Sequence, residues 1–212
     1  MIKKNVNLTI VWITRVSDVE DEMIKNFFEK HDLDYEYEKI IVGHTYLDQR
    51  IYNFKYIPFW ENGLDEQGLI CTKKNLGVSN STKEYCLVLH ADTFPTKSLF
   101  ERVGEISLTD KDVVAPIGYI LNQPKDYKNR GITWANNSIS SRHKHLNECD
   151  SDISYISGAA IFSKTSTFKT IGWNNSLRHD QAEDFEYSDR LRKNKYILSC
   201  DPKLEVYMHN TQ

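Results

Sequence analysis

The sequence has no long apolar run. A membrane-spanning helix needs about 20 consecutive apolar residues, and no apolar run in this chain approaches that length. Residues 1–7 also lack the apolar segment of a secretory signal peptide. We therefore expect a cytoplasmic protein with no transmembrane segment, an expectation that leaves peripheral membrane association open.

An excess of basic residues is missing too. Lys and Arg together number 27 against 30 for Asp and Glu, so the net charge is -3, and the basic residues are scattered along the chain. Nucleic-acid-binding domains carry a basic patch or stripe instead. The composition therefore predicts no nucleic-acid partner.

Closely spaced cysteines and phosphate-binding glycine loops are also absent. No C-x-x-C pair occurs, which argues against a zinc knuckle or a redox dithiol and predicts free thiols. The four cysteines are Cys71, Cys86, Cys149 and Cys200. Neither G-x-G-x-x-G nor G-x-x-x-x-G-K-[ST] follows the first predicted strand, so a dinucleotide cofactor and a P-loop triphosphate site are not expected. A bound nucleotide would have to be held through a metal ion.

Strand and helix patterns alternate in the first half of the chain. Strands are predicted at 7–14, 38–42, 54–58 and 85–89, and helices at 19–30 and 65–81, the second with Leu69, Thr72, Leu76 and Ser79 on one face. This order is typical of βαβ units that build a mostly parallel sheet with helices on both faces. The 212 residues suit one domain with a sizeable core. We predict a single α/β domain, Rossmann-like, with a nucleotide-binding half at 1–95 and an acceptor and catalytic half at 96–212.

The second half is less regular. Strands are predicted at 112–116 and 155–162, a short helix at 164–171 and a longer helix at 180–194. The strand at 155–162 contains S-G-A-A at 157–160, where small residues let a ligand approach the backbone. Residues 120–152 are polar and lack periodicity, as in functional loops or disordered segments. We interpret them as a mobile loop on the acceptor side, with a surface insertion of no function as the alternative.

Polar side chains follow or precede these elements at three places. His90 and Asp92 end the strand at 85–89, Glu183 and Asp184 begin the last helix, and His209 lies near residue 212. Ligands of open α/β sheets bind at the carboxyl edge, where Asp92 can hold a divalent cation that takes other ligands from water and phosphates. The alternatives are that Asp92 caps a helix, that His90 is a hydrogen-bonded core residue, and that Glu183 only complements the helix dipole.

Several short motifs follow one another in a fixed order. They are K-K-N-L-G at 73–77, L-H-A-D at 89–92, S-G-A-A at 157–160, A-E-D-F-E at 182–186 with R-L at 190–191, and V-Y-M-H at 206–209. Together they resemble the family 2-like glycosyltransferases of the GT-A fold, over roughly residues 7–210. The resemblance implies a hexosyl- or N-acetylhexosaminyltransferase of polysaccharide biosynthesis. It would move a sugar with inversion from a nucleoside-diphosphate sugar, we expect a uridine diphosphate sugar, to a hydroxyl of a glycan or lipid-linked glycan.

The resemblance also implies roles for residues. His90 and Asp92 match the DxD-type motif, Asp184 matches the catalytic base, and His209 matches a histidine that completes the metal shell. The expected metal, Mn²⁺ or Mg²⁺, would be held by Asp92, His209 and His90. Donor binding is further expected of Thr14, Arg15, Lys73, Lys74 and Gly158, with His90 and Asp92.

Two departures from the family pattern stand out. His90 replaces the first acid of the DxD-type motif, so that it would bind either the metal or the nucleotide. The segment after the second strand, 43–45, has no Asp to read the nucleobase.

The acceptor side is assigned to Trp173 and Glu183. Trp173 is an apolar platform for a sugar, or else a core residue. If Asp184 is not the base, Glu183 and Asp180 are next in line.

Two other classes of function stay open. His90, Asp92 and His209 would suit a hydrolytic metal centre, but neither His90 nor His209 belongs to an H-x-H or H-x-x-x-H pair. A non-catalytic binding module on the same fold is the other class, and the presence of Asp184 argues against it.

Overall fold

The computed structural model describes residues 3–15, 18–30, 34–59, 69–120, 134–136, 154–178 and 181–209. The elements of the first half are β1 (Lys4–Ile13), α1 (Asp18–Lys30), β2 (Tyr35–Gly43), α2 (Gln49–Tyr52), β3 (Lys55–Pro58), α3 (Ile70–Ser79), β4 (Tyr85–His90), β5 (Thr93–Pro95) and α4 (Lys97–Val103). They are followed by β6 (Asp112–Ile120), β7 (Trp134–Asn136), β8 (Ser154–Ile156), β9 (Ala160–Lys164), α5 (Thr165–Thr170), α6 (Glu183–Lys193) and β10 (Ile197–Met208).

One eight-stranded sheet organises the molecule, in the order β3-β2-β1-β4-β9-β6-β10-β5. Strands β3, β2, β1 and β4 are parallel neighbours, and β6 and β10 form another parallel pair. Strand β9 runs antiparallel between β4 and β6, and β5 runs antiparallel to β10. The predicted α/β class with a mostly parallel central sheet is thereby confirmed.

The central strands are buried on both faces, as their continuous apolar sequences require. In β1, Leu8 and Trp12 point into one core with α1 and α4, while Val11 and Ile13 point into a second core. The second core contains residues of α3, α5 and α6. Helices therefore cover both faces, as the βαβ alternation predicts. None of the described helices has the length and apolar character needed to cross a membrane.

Helix α3 buries other residues than the four that share one face in the sequence pattern. Leu69, Thr72 and Leu76 are half-buried and Ser79 is exposed. The buried positions are Ile70, Cys71, Lys73, Lys74, Gly77 and Val78. The two lysines are the unexpected members of this buried set, since lysine side chains are exposed in most helices.

Other boundaries also differ from prediction. The single strand predicted at 155–162 is wrong: β8 pairs with β7, and β9 joins the main sheet. Thr93–Pro95 forms a further short strand, β5, that was not predicted. Within 120–152, β6 ends at Ile120 and β7 occupies Trp134–Asn136. The rest of that segment lies outside the described residues, as do the start of the helix predicted at 65–81 and Asp180.

Cys71, Cys86 and Cys200 form no disulfide, which agrees with the prediction. Cys149 lies outside the described residues. Burial raises the pKa of Cys71 to about 11 and that of Cys86 to about 12. Both thiols are therefore protonated at neutral pH and are poor nucleophiles.

Candidate active site

Four chain segments meet at the carboxyl edge of the sheet. Ile13 at the end of β1 pairs with His90 at the end of β4. The amide of His90 donates to the carbonyl of Ala159 at 3.1 Å, and the amide of His209 donates to the carbonyl of Asp92 at 3.0 Å. The sequence-predicted residues near 14, 90, 158 and 209 are thus neighbours in space.

Asp92 and His209 are held side by side by the β5–β10 pairing, in which Thr93 faces Met208. The Thr93 hydroxyl donates to Asp92 Oδ1 at 3.1 Å, and the His209 ring lies edge-on to Phe94 with centroids 5.6 Å apart. Partial burial lowers the pKa of His209, and the negative charge of Asp92 opposes that shift. A neutral imidazole beside a carboxylate is therefore the form present at neutral pH.

The fit of this region to a metal rests on that pair. Over the ranges that the structure describes, no three His, Cys, Asp or Glu side chains come together as a metal-binding group. The predicted three-ligand set of His90, Asp92 and His209 is therefore not assembled as a preformed site. Asp92 and His209 alone suit a Mg²⁺ or Mn²⁺ ion, since such ions keep few protein ligands and take the others from water and substrate phosphates.

Asp184 lies at the start of α6 and is held at both carboxylate oxygens. Its Oδ2 accepts the Gly158 amide at 2.7 Å, and its Oδ1 lies 3.6 Å from Lys74 Nζ. The Lys74 side chain is 0% exposed, whereas that of Asp184 is 24% exposed. Oδ1 is among the buried atoms, so the exposed part of the Asp184 side chain does not include that oxygen.

Gly158 permits this close approach. A Cβ atom at that position would lie 2.5 Å from Lys74 Nζ and 2.8 Å from Asp184 Cγ, well inside van der Waals contact. The Gly158 amide is also turned toward Asp184 rather than toward a neighbouring strand. The predicted strand breaks at 157–159 for this reason.

The two acidic residues of the A-E-D motif point in different directions. Ala182 has a left-handed backbone, φ 55°, a conformation that costs a non-glycine residue about 1–3 kcal/mol. Helix α6 begins directly after it, with Glu183 5% exposed and Asp184 half-buried. Such strain occurs where the surrounding structure fixes a functional geometry.

The turn after β1 is fixed by Lys73 and Glu20. Lys73, 2% exposed, donates from Nζ to the Thr14 carbonyl at 3.1 Å. Glu20 accepts from both the amide and the Nε of Arg15, each at 2.7 Å. Thr14 also packs against Gly43, whose φ of 127° suits only glycine. These contacts shape the edge next to His90.

Trp173 is part of the second core. It is 4% exposed and stacks on Tyr187, with centroids 4.5 Å apart and an interplanar angle of 17°. Lys74 Nζ lies 5.6 Å from the centre of its ring. This packing fits the alternative that Trp173 is a core residue. Its ring contacts Lys74 and does not face solvent.

Two residues near the site had no role assigned from sequence. Asn75 accepts the Trp173 amide and donates to the Trp173 carbonyl, both at 2.8 Å. Asp21 in α1 accepts from the Thr45 hydroxyl and the Tyr46 amide, both at 2.6 Å. Asp21 therefore brings a carboxylate to the segment 43–45, which has no Asp of its own. Its only sequence signal is the acidic first turn of α1.

Comparison with known proteins gives matches in structure alone. No protein-family model matches the sequence, and no curated protein matches it either. The solved structure of GalNAc-T7 with UDP, GalNAc and Mn²⁺ superposes with a TM-score of 0.64 at 12% identity, over 97% of this chain and 44% of that one. S. aureus TarS 1–349 with UDP-GlcNAc superposes with a TM-score of 0.62 at 16% identity, over 97% of this chain and 59% of that one. The chain has the GT-A fold.

The match covers only part of each solved GT-A chain. The chain spans between 37% and 60% of the length of these solved chains. At such low identity the likeness concerns the fold, and function has to be argued from the site.

Proposed function

We propose that the chain is a nucleotide-sugar-dependent glycosyltransferase of the family 2-like type. The observation that carries this proposal is the meeting of the Asp92–His209 pair and the clamped Asp184 at one edge of a GT-A sheet. Gly158 and Ala159 connect the two, since one binds Asp184 and the other binds the His90 backbone. The division into a donor half at 1–95 and an acceptor half at 96–212 belongs to the same proposal.

The donor we propose is a uridine diphosphate sugar bound with a divalent metal. The solved GT-A structures contain UDP, GalNAc and Mn²⁺ in one case and UDP-GlcNAc in the other, which supports this class of donor. A cation bound by Asp92 and His209 would offset the charge that develops on the leaving diphosphate. Thr14, Arg15 and His90 border the same edge and would contact the nucleotide.

Asp184 would act as the general base. Acceptor attack requires removal of the hydroxyl proton, and a positioned carboxylate contributes roughly a hundred- to ten-thousand-fold to such a step. Oδ2 would accept the proton, since Oδ1 is buried, and the Gly158 amide fixes the direction of Oδ2. With a single base and no second nucleophile assigned, we infer direct displacement with inversion at the anomeric carbon.

The acceptor in this proposal is a hydroxyl of a glycan or lipid-linked glycan, at a cytoplasmic site. Glu183 would support the acceptor side from within the core, where it is 5% exposed. A hydrolytic metal centre is less well supported, because it requires about three protein ligands around the metal, and no such group exists among the described residues.

A screen of nucleotide sugars tests the proposal. The melting temperature would be measured with each donor, with and without Mn²⁺, since a ligand at a hundred times its dissociation constant stabilises a protein by about 2.7 kcal/mol. We expect one uridine diphosphate sugar to stabilise the chain only with Mn²⁺ present. Release of nucleotide from that donor should then require a glycan acceptor. Equal release with water alone would indicate a hydrolase instead.

A further inference from the structure

Lys74 is an unusual residue for a helix in the core. Its side chain is fully buried, and its Nζ atom has no hydrogen-bond acceptor among the described residues. Burying an ammonium group is costly unless a counter-charge compensates it. Asp184 Oδ1, at 3.6 Å, supplies that charge, and this oxygen also has no hydrogen-bond donor among the described residues.

The residues around Lys74 enclose its ammonium group and keep it away from the sheet edge. The Trp173 ring lies on one side of the ammonium group at 5.6 Å, and Asp184 and the backbone of Gly158 lie on another. A side chain with no exposed surface has no contact with a donor at the sheet edge. Its neighbour Lys73 is different, because it binds the Thr14 carbonyl at the end of β1.

We propose that Lys74 is a positioning residue for Asp184 rather than a ligand of the donor diphosphate. Lys74 fixes Oδ1 while the Gly158 amide fixes Oδ2, so the carboxylate plane cannot rotate. One lone pair of Oδ2 then stays directed at the acceptor hydroxyl. This inference rests on the proposed transferase function, in which Asp184 is the base.

The contacts of Lys74 and the Gly158 amide with Asp184 should affect turnover and not donor binding. Misplacing a catalytic group by about 1 Å can reduce turnover by roughly a hundredfold. Releasing Oδ1 should therefore lower kcat while leaving the donor dissociation constant nearly unchanged. A residue that touched the diphosphate would instead change donor affinity when removed.

Kinetics of Lys74→Met test this, with Lys73→Met as the matched control. Methionine keeps the apolar stem and removes the charge. We expect Lys74→Met to lower kcat about tenfold or more with donor affinity changed less than about threefold, and Lys73→Met to weaken donor binding. In the Asp184→Asn background, Lys74→Met should lower kcat no further, because both changes act on one group. Donor affinity lost in Lys74→Met, or fully additive losses, would overturn the inference.

A melting experiment tests the contact without any substrate. Asp184→Asn leaves the Lys74 charge buried and uncompensated, so the single variant should melt below wild type. Adding Lys74→Met removes that charge, and the double variant should melt above Asp184→Asn alone. A double variant that melts lower than both single variants would show that the two side chains do not act as a pair. If wild type turns over no nucleotide sugar, the proposed function fails, and this comparison still decides whether Lys74 holds Asp184.

Discussion

The amide of His209 donates to the carbonyl of Asp92 at 3.0 Å, and this bond extends the β5–β10 ladder by one step. It brings an imidazole next to a carboxylate from a distant part of the chain. Neither residue could be paired from the local sequence, since β5 itself was not predicted. This relationship is the structural basis for the proposed metal ligands.

Asp92→Ala should abolish metal-dependent donor binding. Changes to groups that merely support metal ligands already cost about 10–100-fold in metal affinity, so loss of a direct carboxylate should cost at least that. Calorimetric titration of the confirmed donor with Mn²⁺ would measure it. Asp48→Ala is a suitable control, because Asp48 caps α2 and takes no part in the site. Unchanged Mn²⁺-dependent binding in Asp92→Ala would rule out the assigned ligand.

His209→Ala should weaken the same binding less than Asp92→Ala, because water can replace a neutral ligand. The variant should also change the response of stability to acid. The pKa of His209 is lowered by burial in the folded chain, so the unfolded chain takes up a proton first as the pH falls. The contribution of neutral His209 to the stability of the fold is therefore present above the ordinary histidine pKa and is lost as the pH falls through the lowered pKa of the folded chain. A plot of melting temperature against pH should be flatter for the variant than for wild type across that range, and parallel plots would contradict this.

Asp184→Asn should separate turnover from affinity. The amide keeps the size of the side chain and its bond to Gly158 but cannot accept a proton. We expect turnover to fall at least about a hundredfold, with the donor dissociation constant changed by less than roughly threefold. Single-turnover kinetics and donor titration would measure the two quantities. Normal turnover would move the search for the base to Glu183 and Asp180.

Gly158→Ala should directly disturb the contacts that Asp184 makes with Lys74 and with the amide of residue 158. The added Cβ would lie 2.5 Å from Lys74 Nζ, and overpacking of this kind costs about 1–3 kcal/mol of stability. Displacement of Asp184 should lower kcat about tenfold or more. Gly104→Ala is the matched control, since its Cβ would meet only the Glu101 carbonyl, at 3.3 Å. Equal kcat values for the two variants would argue against a tight fit at Gly158.

The sequence by itself determined the fold class and the positions of the candidate site residues. Apolar runs and their alternation with helical patterns are local properties, because a strand or helix buries the side chains that its own period directs inward. The runs of β1 and β4 therefore predicted a central parallel sheet. The polar residues that end each run predicted where a ligand edge would lie.

Only the tertiary structure decided which of those residues work together. The insertion of β9 between β4 and β6 brings Gly158 beside His90, and α6 then brings Asp184 to Lys74 of α3. Such contacts depend on strand order and direction, which join residues far apart in the chain. The burial of Lys74 follows from its counter-charge on α6, and a hydropathy pattern treats every lysine as exposed. That is why the sequence located the K-K-N-L-G motif but did not reveal the burial of Lys74.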